Sequence, residues 1–167
     1  MTDEPRILIR EAVAAIVSGE GGQMVTRPMF GDRPDLGTFR EPEPLPAVRA
    51  ARRLRDEAAA AVKSHVRRAR EDGHSWAAIG EACGFVTDPD RGVPAESQAF
   101  TAVTPQPDGW VVRAATFTWI CPACRETVHD YGPEAAHPAD AEEGHGDGCT
   151  RLAEAVRAYD AKWAEES

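Results

Sequence analysis

The feature that most constrains this chain is a set of cysteine and histidine residues near its C-terminal end. Cys121 and Cys124 are separated by a Pro-Ala dipeptide. His145 and Cys149 follow further along the chain and are four positions apart, which is about one turn of a helix. Two thiols three positions apart on a tight turn can both face one tetrahedral ion, with each sulfur about 2.3 Å from the metal. Positions i and i+4 of a helix share one face, so a second pair at the start of a helix could complete the site. The pattern predicts one structural Zn²⁺ ion bound by Cys121, Cys124, His145 and Cys149.

The fourth ligand is the least constrained member of this set. His145 has the better spacing to Cys149, but His137, which precedes Pro138, is an alternative, and water is another. His129 falls out of step with the alternation of a hairpin, so we expect it at the surface. The competing interpretation of the cysteines is that they are small buried hydrophobic residues. Three thiolates and one imidazole leave no open position for a reacting water, which favours a structural ion.

The residues around the first cysteine pair are typical of a β-hairpin, with 116–120 leading in and 125–131 leading out. Residues 150–164 carry apolar side chains at helical spacing. A hairpin that supplies two ligands, followed by a helix whose first turn supplies two more, resembles the treble-clef and zinc-ribbon families. This resemblance covers residues 116–163 and implies a zinc-binding module in the C-terminal part of the chain.

Apolar periodicity divides the remainder into helices and one irregular stretch. Residues 5–18 and 47–71 have apolar side chains at intervals of three and four, which predicts two amphipathic helices. Residues 26–46 contain five prolines and little periodicity, so we expect a loop or linker. The predicted fold is α+β and mostly helical, with an N-terminal helix in 1–25, a Pro-rich loop or linker in 26–46, a helical domain in 47–104, and a zinc-binding hairpin plus C-terminal helix in 109–167.

The segment GHSWAAIGEACG, residues 73–84, is the second informative motif. Ser75 is a suitable N-cap for a short helix over residues 76–83. Gly80 would let a partner helix cross closely, and Gly84 can adopt the positive φ that a turn requires. The core-facing side chains of this helix are predicted to be Trp76, Ile79 and Cys83.

This motif resembles the helix-turn-helix segment of small bacterial regulators, over residues 50–103. The resemblance implies that the third helix, predicted over residues 94–103, would enter the major groove of DNA. Residues 87–93 intervene before that helix, and it is nearly devoid of basic residues, which departs from the family pattern. The alternative is a compact three-helix core that serves only packing.

Charge is distributed unevenly along a chain whose net charge is −9. Residues 49–70 contain eight basic and two acidic residues, whereas 121–167 contain four basic and eleven acidic ones. Neutralisation of phosphates supplies most DNA affinity, so we expect DNA at the basic helix and a protein partner at the acidic zinc module. Gln98 could read an adenine edge and Ser97 a phosphate. The predicted DNA-binding residues are Arg52, Arg53, Arg67, Arg68, Arg91, Ser97, Gln98 and Arg113.

Composition narrows the class of protein. At 167 residues, 42% hydrophobic and 28% charged, the chain suits one ordinary domain or two small ones. Its apolar runs are shorter than the ~18 residues that cross a bilayer. The acidic start is unlike a secretory signal, so we expect a cytoplasmic protein without a membrane partner, in which the cysteines stay reduced.

Enzyme signatures are not found. The chain has no G-x-S-x-G element and no phosphate-binding loop, so neither an enzyme nor a small-molecule substrate is predicted. A solvated acidic face is expected at Asp140, Glu142, Glu143 and Asp147. The favoured function is a DNA-binding or transcription-associated regulatory protein with a structural zinc site. The alternative is a zinc-stabilised protein–protein interaction module without DNA binding.

Overall fold

The fold is α+β, and helices provide more of it than strands do. The computed structural model describes residues 4–87, 92–104, 116–135 and 137–165. Within these ranges, no helix combines the length and the apolar character needed to cross a membrane. The chain forms two units, Met1–Ala61 and Val62–Ser167. In chain order the elements are α1 (Glu4–Gly19), β1 (Met24–Phe30), β2 (Arg33–Pro42), α2 (Pro44–Glu71), α3 (Trp76–Ala82), α4 (Ala95–Val103), β3 (Phe117–Ile120), β4 (Thr127–Asp130), α5 (Pro138–Ala141), β5 (Glu142–Glu143) and α6 (Thr150–Glu165).

The prediction of a loop or linker over 26–46 is wrong, because most of that stretch forms an antiparallel hairpin of β1 and β2. The register pairs Phe30 with Arg33, which leaves only Gly31 and Asp32 in the turn, and Gly31 has a φ of 51°. Each strand of a two-stranded sheet has a free edge, so prolines without a backbone donor are tolerated there. The Gly-Asp turn between two runs of strand formers is the signal for this hairpin, and the proline content obscures it.

Helix α2 matches the predicted long helix but begins earlier, at Pro44. Proline is accepted in the first turn because the backbone N–H groups there have no helical partner. The helix ends at Glu71, and Gly73, with a φ of 95°, turns the chain away. The boundary between the two units falls inside α2, after Ala61, and therefore differs from the predicted boundary between residues 46 and 47.

One hydrophobic core extends through the second unit and joins parts that were predicted as separate domains, 47–104 and 109–167. Trp76 of α3 makes edge contacts with the rings of Phe100 in α4 and Phe117 in β3, at centroid distances of 5.1 and 5.5 Å. The buried members are Val66, Trp76, Ile79, Ala99, Phe100, Val103, Phe117, Trp119, Cys121, Val128 and Cys149.

The helix α3 has the two glycine features that its sequence predicts. A Cβ on Gly80 would lie 2.7 Å from the carbonyl oxygen of Ala95, so α3 and the start of α4 approach closely, and Gly84 has a φ of 74°. Ser75 is the N-cap and accepts a hydrogen bond from the backbone N–H of Ala78. Cys83 is exposed, so the prediction that it faces the core is wrong. It lies beyond the last turn of α3, where the chain already leaves the helix.

The connection between α3 and α4 departs from helix-turn-helix geometry. Residues 83–94 separate the two helices, and residues 88–91 lie outside the described part of the chain. A helix-turn-helix joins its helices by a turn of about three or four residues. The DNA-binding interpretation of this helix pair therefore stays a prediction.

We predict that Gly80→Val lowers the free energy of unfolding by about 3 kcal/mol, because the new side chain must displace the backbone of Ala95. Ala78→Val is the matched control. It places the same side chain on the exposed face of α3 and should cost only about 0.5 kcal/mol of helix propensity. Urea denaturation of both variants checks this, and equal losses would contradict the close approach of α3 and α4.

Candidate metal centre

The first half of the site is the tight turn between β3 and β4. Ile120 pairs with Thr127, so the residues between them form the hairpin end. The Cys121 N–H donates to the carbonyl oxygen of Glu126 (2.9 Å), and the Arg125 N–H donates to that of Cys121 (2.8 Å). Arg125 has a φ of 65°, a left-handed conformation that is uncommon for a residue with a side chain. These constraints bring the thiols of Cys121 and Cys124 to one side of the turn.

The second half comes from the loop between β5 and α6, not from the first turn of a helix. Helix α6 begins at Thr150, so Cys149 directly precedes it and His145 lies further upstream. The prediction that His145 and Cys149 share a helix face is therefore wrong. Glycines at 144 and 148 have φ values of 97° and 71°, which a right-handed helix cannot contain. The third glycine of this loop, Gly146, would place a Cβ only 3.4 Å from the Cβ of Cys124.

The four predicted ligands come together at one point. One ligand atom from each of Cys121, Cys124, His145 and Cys149 lies within 4.8 Å of all the others. The sulfurs of Cys121 and Cys149 are 3.8 Å apart, and the Cys124 sulfur is 3.7 Å from His145 Nδ1. Tetrahedral zinc with sulfur at about 2.3 Å requires sulfur atoms roughly 3.8 Å apart, which the separation of Cys121 and Cys149 matches. The cluster is therefore able to bind a metal ion such as zinc.

The alternative ligands lie elsewhere. His137 is the N-cap of α5, where its side chain accepts from the N–H of Ala139, and its ring is 5.1 Å from that of Tyr159. His129 is exposed on β4, as expected. Neither is part of the cluster, so His145 is the histidine that lies close enough to share an ion with the three cysteines.

A chain of buried polar contacts begins at Nε2 of His145, the ring nitrogen that is not near Cys124. This nitrogen lies 3.0 Å from Glu142 Oε2, and the other oxygen of Glu142 accepts from Arg70 Nη2. Arg70 Nε donates to Asp130 at 2.9 Å, and the indole N–H of Trp76 also donates to Asp130, at 3.1 Å. A histidine that binds metal through Nδ1 carries its proton on Nε2, and a carboxylate there fixes the tautomer and the ring.

Arg70 and Asp130 were not predicted to support the site, and Glu142 was predicted to lie on a solvated face. The side chain of Glu142 is 12% exposed and bonded on both oxygens, so its assignment to a solvated acidic face is wrong. Asp140, Glu143 and Asp147 are exposed, as that assignment expects. The sequence signal for the role of Glu142 is its spacing from His145. A carboxylate three residues before a metal-binding histidine can reach the ring nitrogen that does not bind the metal.

The pKa values of two ligand thiols move in opposite directions. Backbone N–H groups of Gly146 and Glu126 lower the pKa of Cys124 to about 6, because they stabilise its thiolate. Burial raises the pKa of Cys121, because the charged form loses solvation. Metal binding requires thiolates, so Cys124 is already in the binding form near neutral pH, whereas the ion itself must drive the proton from Cys121.

Four protein ligands would complete the tetrahedral coordination that zinc prefers. Beside the ligand set, the ring of Trp119 lies 5.8 Å from that of His145, and the guanidinium of Arg151 lies 4.1 Å above the same indole.

Comparison with models of known protein families, with curated proteins and with solved structures gives no match.

The predicted DNA-binding arginines of α2 are exposed, and three of the four have partners within the protein. Arg52 and Arg53 are exposed and pair with Asp56 and Glu20, respectively. Arg67 donates to the carbonyl oxygen of Thr118, and Arg68 is exposed. Arg91 and Arg113 lie outside the described residues.

Two further candidates, on α4, form internal hydrogen bonds. Gln98 donates its amide N–H groups to the carbonyl oxygens of Val86 (2.7 Å) and Val93 (3.2 Å). The hydroxyl of Ser97 donates to Glu134. These donors therefore hold the loop before α4 and the segment after β4.

We predict that Cys121→Ser abolishes stoichiometric zinc binding and lowers the melting temperature, because a buried ligand and the folding free energy supplied by the ion are lost together. Cys83→Ser is the matched control, since this thiol is exposed and outside the cluster. Elemental analysis and thermal unfolding report both properties. A Cys121→Ser protein with undiminished zinc content would contradict the assignment.

We predict that Glu142→Gln weakens zinc binding by about tenfold to a hundredfold, as expected when the partner of a metal-bound histidine is changed. The substitution conserves shape but removes the charge that faces both His145 and Arg70. Competition with a chelator measures the affinity. Asp147→Asn, an exposed change within the same loop, should leave it unaltered. If both variants bind zinc as the unmodified protein does, Glu142 has no role in orienting the ligand.

Proposed function

We propose that this protein is a zinc-stabilised protein–protein interaction module and not an enzyme. The observation that carries the proposal is the closed set of three thiols and one imidazole, built into the same core as the helices. A zinc ion held by four protein ligands has a structural role, because catalytic zinc keeps a position for water or substrate. The function therefore lies in the surfaces that this scaffold presents.

Zinc would stabilise this module by connecting several of its secondary-structure elements. The ion would join the β3–β4 turn to the start of α6, and the contacts of Glu142 and Arg70 extend this connection to α2. Structural zinc contributes its binding free energy to folding. The ion would connect several short elements that share one core.

The surface next to the metal centre favours a partner with a basic binding face. Of the eleven acidic residues in 121–167, Asp130 and Glu142 are used internally by Arg70. The remainder include exposed carboxylates on α5, the following loop and α6, namely Asp140, Asp147, Glu154 and Asp160. Exposed Arg157 and Lys162 also lie on α6, so the excess of negative charge is concentrated on α5 and the following loop, where it disfavours DNA and favours a basic protein face.

DNA binding is the second candidate. The close approach at Gly80, the positive φ at Gly84 and the exposed arginines of α2 favour it. Against it, α4 has no basic residue, and Ser97 and Gln98 donate within the protein. A helix that enters a groove without cations lacks the contacts that supply most of the affinity.

A paired experiment distinguishes the two candidates. In the first arm, the zinc-loaded chain is titrated into fluorescent genomic DNA fragments at two salt concentrations. We expect no affinity that falls with salt. If such affinity exists, and if replacing both Arg67 and Arg68 by alanine reduces the salt slope by up to about two units, DNA binding takes first place.

In the second arm, cross-linking in cells with quantitative mass spectrometry compares the unmodified protein with a variant carrying Asp147→Lys and Glu154→Lys. We expect a reproducible cross-linked partner that this variant loses, because the acidic face is reversed. Glu57→Lys, an exposed charge reversal on α2, is the control and should retain the partner. A partner equally retained by all three proteins would contradict the acidic face as the binding surface.

A further inference from the structure

The first unit buries few apolar side chains and exposes many. Among its described residues, the buried ones are Val17, Pro42 and Ala50. Soluble monomers rarely leave a large contiguous apolar surface uncovered, and such surfaces usually mark interfaces. The exposed large apolar residues of this unit are Ile7, Leu8, Ile9, Met29, Phe30, Leu36, Phe39, Leu45 and Val48.

Four of these exposed residues line two adjoining depressions. Met29, Phe30 and Phe39 line the first, against α1, and Val48 lines the second. Both depressions are also lined by Arg10, Glu41 and Pro42, so they form one continuous surface. We call this surface, defined by Met29, Phe30, Phe39 and Val48, the hairpin face.

The apolar area of the hairpin face has the size that a stable dimer requires. Its four side chains are 57%, 62%, 40% and 65% exposed. Together they leave on the order of 400 Å² uncovered, and a standard interface buries about 800 Å² on each partner, of which roughly 57% is apolar. The hairpin face and its polar rim would therefore supply one side of such an interface.

The charges around the first depression suit a second copy of the same chain. Its lining includes Arg10 and Arg40 together with Glu11 and Glu41, two residues of each sign. Glu41 already pairs with Arg27, while Arg10, Glu11 and Arg40 have no ion pair among the described residues. In a two-fold symmetric interface both copies use the same patch. If residue i of one copy contacts residue j of the other, residue j of the first copy also contacts residue i of the second. A patch with balanced charges can pair with a second copy of itself. A strongly acidic or strongly basic partner would instead bring like charges against two of these four residues.

The hairpin has little support within its own unit, where α1 packs against β2. A two-stranded hairpin is at best marginally stable in water and requires packing on one face. The strands β1 and β2 have few half-buried positions, and within them only Pro42 is buried. We propose that two copies of this chain associate through the hairpin face and form a symmetric dimer. This proposal is independent of the function proposed for the metal-containing unit.

Sedimentation velocity of the full, zinc-loaded chain from about 1 to 200 µM tests the proposal. We expect a reversible monomer–dimer equilibrium, and the variants Phe30→Glu and Val48→Glu should each weaken it by at least tenfold, because each places a charge in the centre of the interface. Val86→Glu is the matched control. It adds the same charge at an exposed apolar residue of the other unit and should leave the equilibrium unchanged.

Circular dichroism of each variant establishes that it is folded. If Phe30→Glu lowers the melting temperature, Phe30→Ser replaces it, since serine removes the apolar contact without adding charge. A monomeric unmodified protein over the whole concentration range would overturn the proposal. A dimer that folded variants of both Phe30 and Val48 leave intact would overturn it as well, because association would then use another surface.

Discussion

The guanidinium of Arg70 lies inside the second unit, and much of that unit is arranged around it. It donates to Asp130, to Glu142 and to the carbonyl oxygen of His74, and the rings of Trp76 and Trp119 are within 6 Å of its carbon. Removing a charged group from water costs several kcal/mol, and only a full set of partners offsets that cost. The arginine therefore constrains α2, α3, β4 and β5 to one mutual arrangement.

One link between the ligand set and this arrangement is the contact between Glu142 and His145. A metal-bound histidine polarises its own N–H, which strengthens the bond to Glu142 and hence the ion pair with Arg70. Loss of the ligand set would leave Glu142 with Arg70 alone. Buried polar networks are stable only when complete, so a bound metal and the helical core would stabilise each other.

Short-range features and the ligand set were predictable from sequence, and the other long-range contacts were not. The turn at Cys121 and Cys124, the N-cap at Ser75 and the positive φ of Gly84 each depend on a few neighbouring residues, and each was predicted. Arg70 and Asp130 are far apart in the chain, and nothing in the pattern around either indicates the other. The hairpin at 24–42 was missed for a different reason, since its prolines obey edge-strand rules that a count of prolines does not reveal.

The shared core has a consequence for how such a protein could arise. Phe117, Trp119 and the buried thiols of Cys121 and Cys149 pack with Trp76 and Phe100, so the strands around the metal and the helices α3 and α4 complete one another. Modules that carry their own core can be copied, fused or deleted singly. The two halves of this unit cannot, and a lineage that lost the metal ligands would have to rebuild the packing around Trp76 at the same time. We therefore expect the ligands and the helices to be inherited together.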